Sequence, residues 1–398
     1  MGRRTQRVKR YLILVAVVTA LAVLAVGCGN TSKVDNTPKA GESIAGAKDS
    51  ICGKGVSATE AKPSGIKKLG GAASSLSGAG ATFPAPIYSL WAGEFNKAQG
   101  VQVAYQPIGS GGGIQQISAQ TVDFGATDAP MKEEEMKAAK GGEVLHIPTV
   151  LGAVVVTYRL AGHSSGLKFT GELLGKIFVG KITAWNDPQI AAANPGVSLP
   201  STPIAVVHRS DGSGTTAVFT DYLTKASPTW VGALGSGRSQ GKEVAWPVGI
   251  GGKGNDGVSG AVGQTEGAIG YVELTYAIQQ NLAIGLVQNR AQKFIQPCVE
   301  TVTAAAEGFP FPADLRFSLT DGAGENAYPI SSATWLLVYS KQTDIARAKA
   351  LVNFLVWAMD YGQKSAPSLD YAPLSSDLRD LAIKQIRKIE VDGTPLVG

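Results

Sequence analysis

The sequence predicts an α/β protein with two lobes, and three observations support that prediction. Strand-like runs alternate with helical patterns along most of the chain, which is typical of sheets covered by helices. The residues after position 77 are too many for one hydrophobic core and favour two. Turns rich in Gly, Ser and Thr recur where a strand-like run leads into a helical pattern. We therefore expect mostly parallel sheets with polar loops at their ends.

The individual elements follow from hydrophobic periodicity. Alternating or continuous apolar runs rich in Val, Ile and aromatic residues predict strands at 101–105, 144–150, 153–158, 204–207 and 335–339. Apolar residues at helical spacing predict helices at 114–120, 171–178, 216–224 and 344–357. A further helix is expected after Pro84, because Ile87, Trp91 and Phe95 recur at the same spacing behind a proline-rich start.

The turn at residues 208–216 is the most informative of the polar loops. It connects a predicted strand to a helix that starts near Ser213, so Ser213, Gly214 and Thr215 offer free N–H groups and hydroxyls at a positively polarised helix end. Arg209 adds a planar set of donors suited to an oxyanion. Asp211 has two roles open to it, since it would either hold the guanidinium or stabilise the turn. The turn predicts a site for a small anion.

Other segments have the same character. The segment at 78–86 places Thr82 and Phe83 at a helix start, with Ala81 in the same loop. The segment at 109–113 contributes Ser110 before a helical pattern, and the segment at 122–130 ends a short strand at Asp128. An ionised carboxylate accepts hydrogen bonds only, so Asp128 would attract the hydroxyl of hydrogen phosphate and repel an oxyanion without a proton. This favours phosphate over sulfate as the ligand.

These segments, together with 251–257 and 267–273, resemble the phosphate-binding proteins of bacterial high-affinity phosphate ABC importers. The resemblance runs from about Gly78 to the C-terminus. It implies the two-lobe periplasmic-binding-protein fold, with a ligand cleft between the lobes. It also implies a role for Asp211 in supporting Arg209. The phosphate-binding residues that the resemblance implies are Ala81, Thr82, Phe83, Ser110, Asp128, Arg209, Ser213, Gly214 and Thr215. One departure is His208, which stands where some relatives carry a second basic residue and leaves the local charge open.

The resemblance also implies where the chain crosses between lobes. Crossings are expected near residues 148–152 and 326–331, which gives lobe I as 76–149 and 327–398 and lobe II as 150–326. The loops containing Thr82, Ser110 and Asp128 then belong to lobe I, and those containing Arg209 and Ser213 belong to lobe II. Ligand bound in the cleft would hold both lobes closed.

The N-terminal segment predicts export. Residues 1–27 form a signal peptide, with a basic start followed by an apolar run that is short for a membrane span. Cys28 follows as the candidate lipid anchor, carrying a fatty acyl chain such as palmitate, although Ala25 stands where Leu is more usual. The alternative is ordinary cleavage with no lipid. Residues 28–75 are poor in apolar periodicity and predict a flexible tether between the outer face of the membrane and the folded protein.

Charge and cysteine content add to this interpretation. The formal net charge of +5 comes from the basic residues of the signal peptide, so the mature chain is close to neutral and nucleic-acid binding is not expected. With Cys28 assigned, Cys52 and Cys298 remain as a candidate disulfide pair. The alternative is two unpaired thiols.

Several enzyme classes find no support in the sequence. No P-loop motif occurs, the three histidines are scattered, and no nucleophile elbow is present, so we expect neither a metal site, a cofactor nor a catalytic triad. The expected function is extracytoplasmic binding of inorganic phosphate and its delivery, by a monomer, to the permease subunits of an ABC importer. The alternatives are an extracytoplasmic phosphohydrolase that uses the same anion site, and a receptor for another tetrahedral oxyanion.

Overall fold

The structure is a computed structural model that describes residues 51–53, 55 and 63–397. The predicted signal peptide, Cys28 and most of the predicted tether lie outside the described residues. The helices are α1 (Ala85–Gln99), α2 (Ser110–Ser118), α3 (Glu133–Lys137), α4 (Gly171–Phe178), α5 (Pro188–Ala193), α6 (Gly214–Ala226), α7 (Pro228–Leu234), α8 (Gly254–Gln264), α9 (Leu274–Gln279), α10 (Val299–Ala306), α11 (Ile345–Asp360) and α12 (Ser376–Ile386). None of the helices in the described part of the chain is long and apolar enough to span a bilayer.

The strands form one large sheet and two small ones. They are β1 (Ser75–Gly80), β2 (Gln102–Pro107), β3 (Phe124–Thr127), β4 (Val144–Tyr158), β5 (Lys168–Phe169), β6 (Ala205–Arg209), β7 (Ile250–Gly252), β8 (Ala268–Glu273), β9 (Ala283–Ile284), β10 (Leu286–Gln288), β11 (Phe294–Ile295), β12 (Ser331–Tyr339), β13 (Lys341–Gln342), β14 (Glu390–Val391) and β15 (Thr394–Pro395). The large sheet has the order β2–β1–β3–β12–β4–β8–β6–β7, with β9 also paired to β4. The small sheets have the orders β11–β10–β5 and β13–β14–β15.

The predicted α/β class is confirmed, but the expectation of mostly parallel sheets is wrong. Pairing is parallel within β2–β1–β3 at one end of the large sheet and within β7–β6–β8 at the other. The strands between these ends, β12 and β4, pair antiparallel with each other and with their neighbours β3 and β8. The sheet is therefore mixed, because two long strands that are antiparallel to each other connect its two parallel ends.

The two strands predicted at 144–150 and 153–158 are one continuous strand, β4, which is buried along its whole length. Pro148 cannot donate a backbone hydrogen bond, and the sheet accommodates it by a register shift. Trp335 pairs with Pro148 and Thr334 with Val150, so the chain bulges without ending the strand. The partner of β4 is β12 up to Ala153 and β8 from Val154 onward.

This topology brings the polar loops together. The parallel strands β1, β2 and β3 end at one edge, and the loops that follow lead into α1, into α2 and to Asp128. At the other end of the sheet, β6 leads through Arg209 and Asp211 into α6, and β7 leads into α8. Binding sites in open α/β sheets form at such carboxyl ends. Apolar side chains of both ends share one buried cluster, which includes Trp91, Trp185 and Trp335.

The segment at residues 51–55 is joined to the body by a disulfide. Cys52 and Cys298 are bonded, with their Cα atoms 5.9 Å apart, at the start of α10. The Glu300 carboxylate accepts the amides of Gly53 and Gly55 at 3.0 and 2.9 Å. Cys52, Cys298 and Glu300 lie close enough together to resemble a group of metal ligands. Because the sulfurs are bonded to each other, they are not thiolate ligands.

Candidate functional site

The helix α6 begins close to its predicted start, but of the N–H groups expected to be free, those of Ser213 and Gly214 have acceptors within the protein. The Ser213 hydroxyl accepts the Thr216 amide at 3.0 Å, and the Ser213 amide donates to the carbonyl of Lys242 at 2.9 Å. The next amide, that of Gly214, donates to the hydroxyl oxygen of Ser110 at 3.0 Å. Residues 213–215 are buried at the helix end. The positive end of the helix therefore faces the interior of the protein.

Arg209 is held beside this helix end by a bidentate ion pair. Its side chain is 1% exposed, and its Nε and Nη2 atoms donate to the two carboxylate oxygens of Asp211 at 2.8 and 2.5 Å. Its Nη1 atom donates to the Thr215 hydroxyl at 3.3 Å. Burial pushes the pKa of Asp211 upward, but the hydrogen bonds and charge of Arg209 outweigh it and hold that pKa below its ordinary value. Of its two open roles, Asp211 thus holds the guanidinium.

Asp128 places a second carboxyl group in the site, and no basic side chain of the described residues forms an ion pair with it. The residue is 1% exposed, Thr334 Oγ1 donates to its Oδ1 atom at 2.9 Å, and its amide donates to Ser110 Oγ at 3.3 Å. Burial raises the pKa of Asp128 to about 7, and the Thr334 hydrogen bond and the charge of Arg209 offset only part of this effect. Asp128 therefore changes its protonation state near neutral pH.

The loop after β1 also contributes to the site, beside the start of α6 and Asp128. The Thr82 hydroxyl oxygen accepts two hydrogen bonds from Asn255, from its amide at 3.2 Å and from Nδ2 at 2.8 Å. The Ala81 amide donates to the carbonyl of Ala126 at 3.0 Å, so it is engaged within the protein. Phe83 is buried, and its ring packs against Gly152 of β4.

Backbone contacts close the cleft between the two ends of the sheet. The Gly111 amide donates to the carbonyl of Gly212 at 2.8 Å, in addition to the bond from Gly214 to Ser110. A Cβ atom on Gly109, which has a φ of +89°, would lie 2.3 Å from Asp211 Oδ2. Only glycine allows this approach. The structure is therefore that of a closed cleft.

Sequence reasoning missed Asn255 and Thr334. The Asn255 side chain bridges Thr82 and Thr215, with Nδ2 3.2 Å from the Thr215 hydroxyl, and Thr334 holds Asp128. The glycine-rich segment at 251–257 contains the start of α8 at Gly254, just as the predicted anion-binding segments contain helix starts, so its position was the available signal for Asn255. The ring of His208 packs on another aromatic residue and is not part of the group of donors described above. Its ring stacks on Trp246, with centroids 4.9 Å apart.

The hydroxyl groups of the site share one property. Thr82, Ser110, Ser213 and Thr215 each accept N–H hydrogen bonds through the hydroxyl oxygen. A hydroxyl has one proton, and an N–H donor does not use it. The Ser110 hydroxyl hydrogen-bonds to the Asp128 carboxyl group, so of these four protons those of Thr82, Ser213 and Thr215 remain available to donate.

Backbone amides add to this set of donors. The amides of Thr82, Phe83, Ser110 and Thr215 have no hydrogen-bond acceptor among the residues that the structure describes. Together with the Arg209 guanidinium, they can surround a small anion, and an ionised Asp128 can accept a hydrogen bond from a hydroxyl group of that anion.

Comparisons with known proteins agree with this geometry. Residues 58–359 match the family model of the PBP superfamily domain. The chain is 44% identical over 314 residues to the phosphate-binding protein PstS of Xylella fastidiosa, covering 78% of this chain and 83% of the relative. It is 45% identical over 309 residues to the phosphate-binding protein PstS of Haemophilus influenzae, covering 77% and 90%.

Solved structures extend the comparison to the fold. A human phosphate binding apolipoprotein has a TM-score of 0.62 at 21% identity, covering 77% of this chain and 92% of that one. A phosphate binding protein from Stenotrophomonas maltophilia has a TM-score of 0.59 at 18% identity, covering 79% and 94%. The expected two-lobe periplasmic-binding-protein fold is thereby confirmed. The chain belongs to the PBP superfamily and, within it, to the family of the phosphate-binding proteins PstS.

Proposed function

We propose that this protein binds inorganic phosphate outside the cytoplasm and delivers it to the permease subunits of an ABC importer. The observation that carries the proposal is a closed cleft in which the buried cation Arg209 and unused O–H and N–H donors surround one buried carboxyl group, Asp128. Hydrogen phosphate matches this set, because it has oxygens for the donors and a proton for the carboxylate. The relatives named phosphate-binding protein PstS support the same ligand.

The proposed ligand contacts differ in kind. Arg209 and the hydroxyls of Thr82, Ser213 and Thr215 would donate to the phosphate oxygens, as would the amides of residues 82, 83, 110 and 215. The Asp128 carboxylate would accept a hydrogen bond from the protonated phosphate oxygen. Ala81 and Gly214 would shape the site, since their amides donate to Ala126 and Ser110 in the closed cleft.

The proposed lobes keep the boundaries expected from the sequence, with lobe I at 76–149 and 327–398 and lobe II at 150–326. Two features support them. The pairing partner of β4 changes between Ala153 and Val154, and β12 begins at Ser331, opposite Ala153. The hydrogen bonds from Gly214 to Ser110 and from Asn255 to Thr82 would then cross the cleft.

We also propose that residues 1–27 are removed on export and that Cys28 carries a lipid on the outer face of the membrane, with a monomeric binding domain tethered to it. The sequence around Cys28 supports the anchor. Metabolic labelling with a fatty acid tests it: the wild type should incorporate label and Cys28→Ser should not. Equal label on both proteins would contradict the anchor.

The ligand is tested by retention of labelled phosphate in the presence of competitors. Unlabelled arsenate keeps a proton and a tetrahedral shape, so it should displace phosphate, whereas sulfate at the same concentration should not. Equal displacement by both would favour a general oxyanion receptor.

The phosphohydrolase alternative is tested separately, with a chromogenic phosphate ester and added divalent metal. We propose a binding protein without catalytic activity, and turnover above the rate without protein would contradict this.

A further inference from the structure

Three tyrosine hydroxyls meet three consecutive carbonyl groups beneath the loop after β1. Tyr105 donates to the carbonyl of Ala81, Tyr276 to that of Thr82 and Tyr371 to that of Phe83, each at 2.6 Å. The tyrosines come from distant parts of the chain, namely β2, α9 and the segment after α11. Three tyrosines from distant parts of the chain thus bind the backbone of one short loop, and the geometry of the peptide unit suggests what they do there.

A peptide unit is planar and trans, so its C=O and N–H groups point in opposite directions. The carbonyl of Ala81 shares a peptide unit with the amide of Thr82, and the carbonyl of Thr82 shares one with the amide of Phe83. A hydroxyl that binds the carbonyl from one side thus fixes the direction of the amide on the other. The two amides oriented in this way are among those without an acceptor in the described structure.

A donor on the carbonyl also polarises the peptide unit and strengthens its N–H as a donor. The phenols are suited to this role because burial raises the pKa of Tyr105, Tyr276 and Tyr371, which keeps their protons in place. Tyr371 also lies 3.0 Å from the carboxyl of Glu273, whose own pKa burial raises well above its ordinary value. The Tyr371 hydroxyl is the donor in this contact as well, and its shorter bond is the one to the carbonyl of Phe83.

We propose that Tyr105 and Tyr276 are positioning residues for the ligand, which orient and polarise the Thr82 and Phe83 amides as phosphate donors. This inference rests on the proposed function. Tyr371 differs from the other two in one respect: the carbonyl that it binds shares its peptide unit with Pro84, which has no N–H. Tyr371 therefore holds the loop without preparing a donor, and it provides a matched control within the same loop.

The test compares phosphate affinity, by isothermal titration, for the wild type and four Tyr→Phe variants. Tyr105→Phe and Tyr276→Phe should each weaken binding about tenfold, equivalent to about 1.4 kcal/mol. Tyr371→Phe should stay within about threefold of the wild type. Tyr222→Phe serves as a remote control for the loss of a buried tyrosine hydrogen bond, because its hydroxyl donates to the carbonyl of Gln288 at 2.9 Å, and it should also stay within about threefold.

The NMR chemical shifts of amide protons in the phosphate-saturated protein distinguish the proposed role from a purely structural one. Tyr105→Phe should shift the Thr82 amide proton upfield and leave that of Phe83 in place, and Tyr276→Phe should do the reverse. Three results would overturn the inference while the wild type still bound phosphate. They are unchanged phosphate affinity in Tyr105→Phe and Tyr276→Phe, a loss of affinity in Tyr371→Phe equal to theirs, and amide shifts that are not specific to the expected residue. A wild type that bound no phosphate would refute the proposed function and the inference with it.

Discussion

The protonation state of Asp128 should control how strongly the protein binds sulfate, by an amount that can be calculated. Burial raises its pKa to about 7, and Arg209 and Thr334 offset only part of this, while the charge of Asp211 adds to it. Below that pKa, the protonated carboxyl offers a hydrogen-bond donor to any oxyanion. Above it, the ionised carboxylate is an acceptor only, and it repels sulfate, which has no proton to share. We therefore expect sulfate to bind weakly at low pH and to lose affinity as the pH rises.

The size of the effect follows from the pKa. Above about pH 7 the protonated fraction of Asp128 falls about tenfold per pH unit, so the sulfate association constant should fall by the same factor, about 1.4 kcal/mol per unit. Below about pH 6 the affinity should level off, because the carboxyl is already protonated. Between pH 7 and 9 the total loss should be about fiftyfold, because half of the carboxyl groups are still protonated at pH 7.

Asp128→Asn is the matched variant, because its NH₂ group is a donor at every pH. Direct titration with sulfate from about pH 5.5 to 9 should show the slope in the wild type alone, with tighter sulfate binding to the variant at high pH. Other titrating groups remain in both proteins, so the difference in slope isolates Asp128. The reasoning is refuted if the wild type binds sulfate equally across this range, or if the variant has the same slope.

Three further predictions concern the cleft. Arg209→Ala removes the buried cation that faces the ligand, so calorimetry should show a loss of at least about 3 kcal/mol in phosphate binding, and a change of less than about threefold would contradict the assignment. Gly214→Ala would place a Cβ atom 2.5 Å from Asp128 Oδ2 in the closed cleft. Phosphate affinity should therefore fall more than about tenfold, while the melting temperature without ligand stays unchanged. Unaltered affinity would show that cleft closure tolerates the methyl group. Glu135→Gln removes an ion pair with Lys242 Nζ at 2.9 Å, so stopped-flow measurements should show phosphate leaving about twofold to fivefold faster at low salt, a difference that high salt should abolish. Equal rates at low salt would mean that this pair does not hold the cleft closed.

Local signals made much of the site predictable. Gly, Ser and Thr at the start of a helical pattern indicate amides without an acceptor inside the helix, whatever the rest of the fold does, and α6 begins at Gly214, close to the predicted start near Ser213. The predicted helix at 171–178 coincides with α4, where Thr170 caps the first turn by accepting the Leu173 amide at 3.1 Å. Capping and amphipathic periodicity are encoded within a few residues, so they can be found in a single sequence.

The parts that could not be predicted depend on contacts between distant residues. Asn255 reaches Thr82 across 173 positions, and Thr334 reaches Asp128 across 206. Glu135 pairs with Lys242 across 107 positions. Side chains far apart in sequence meet through the sheet order, which periodicity does not reveal.

The break expected at residues 151–152, between the strands predicted at 144–150 and 153–158, was wrong for a related reason. A single sequence does not show which strands will pair with an apolar run, and pairing with β12 and then with β8 continues β4 through these positions, although Pro148 lacks a backbone donor. Here β12 shifts its register between Thr334 and Trp335 and continues the pairing, so β4 remains one strand.

Isothermal titration of the purified, phosphate-free protein with inorganic phosphate is the most direct test of the proposed function. We expect saturable binding of one phosphate per chain, and we expect the heat of binding to be lost when Arg209 is replaced by Ala. Absence of saturable binding in the wild type, or binding that survives unchanged in Arg209→Ala, would contradict it.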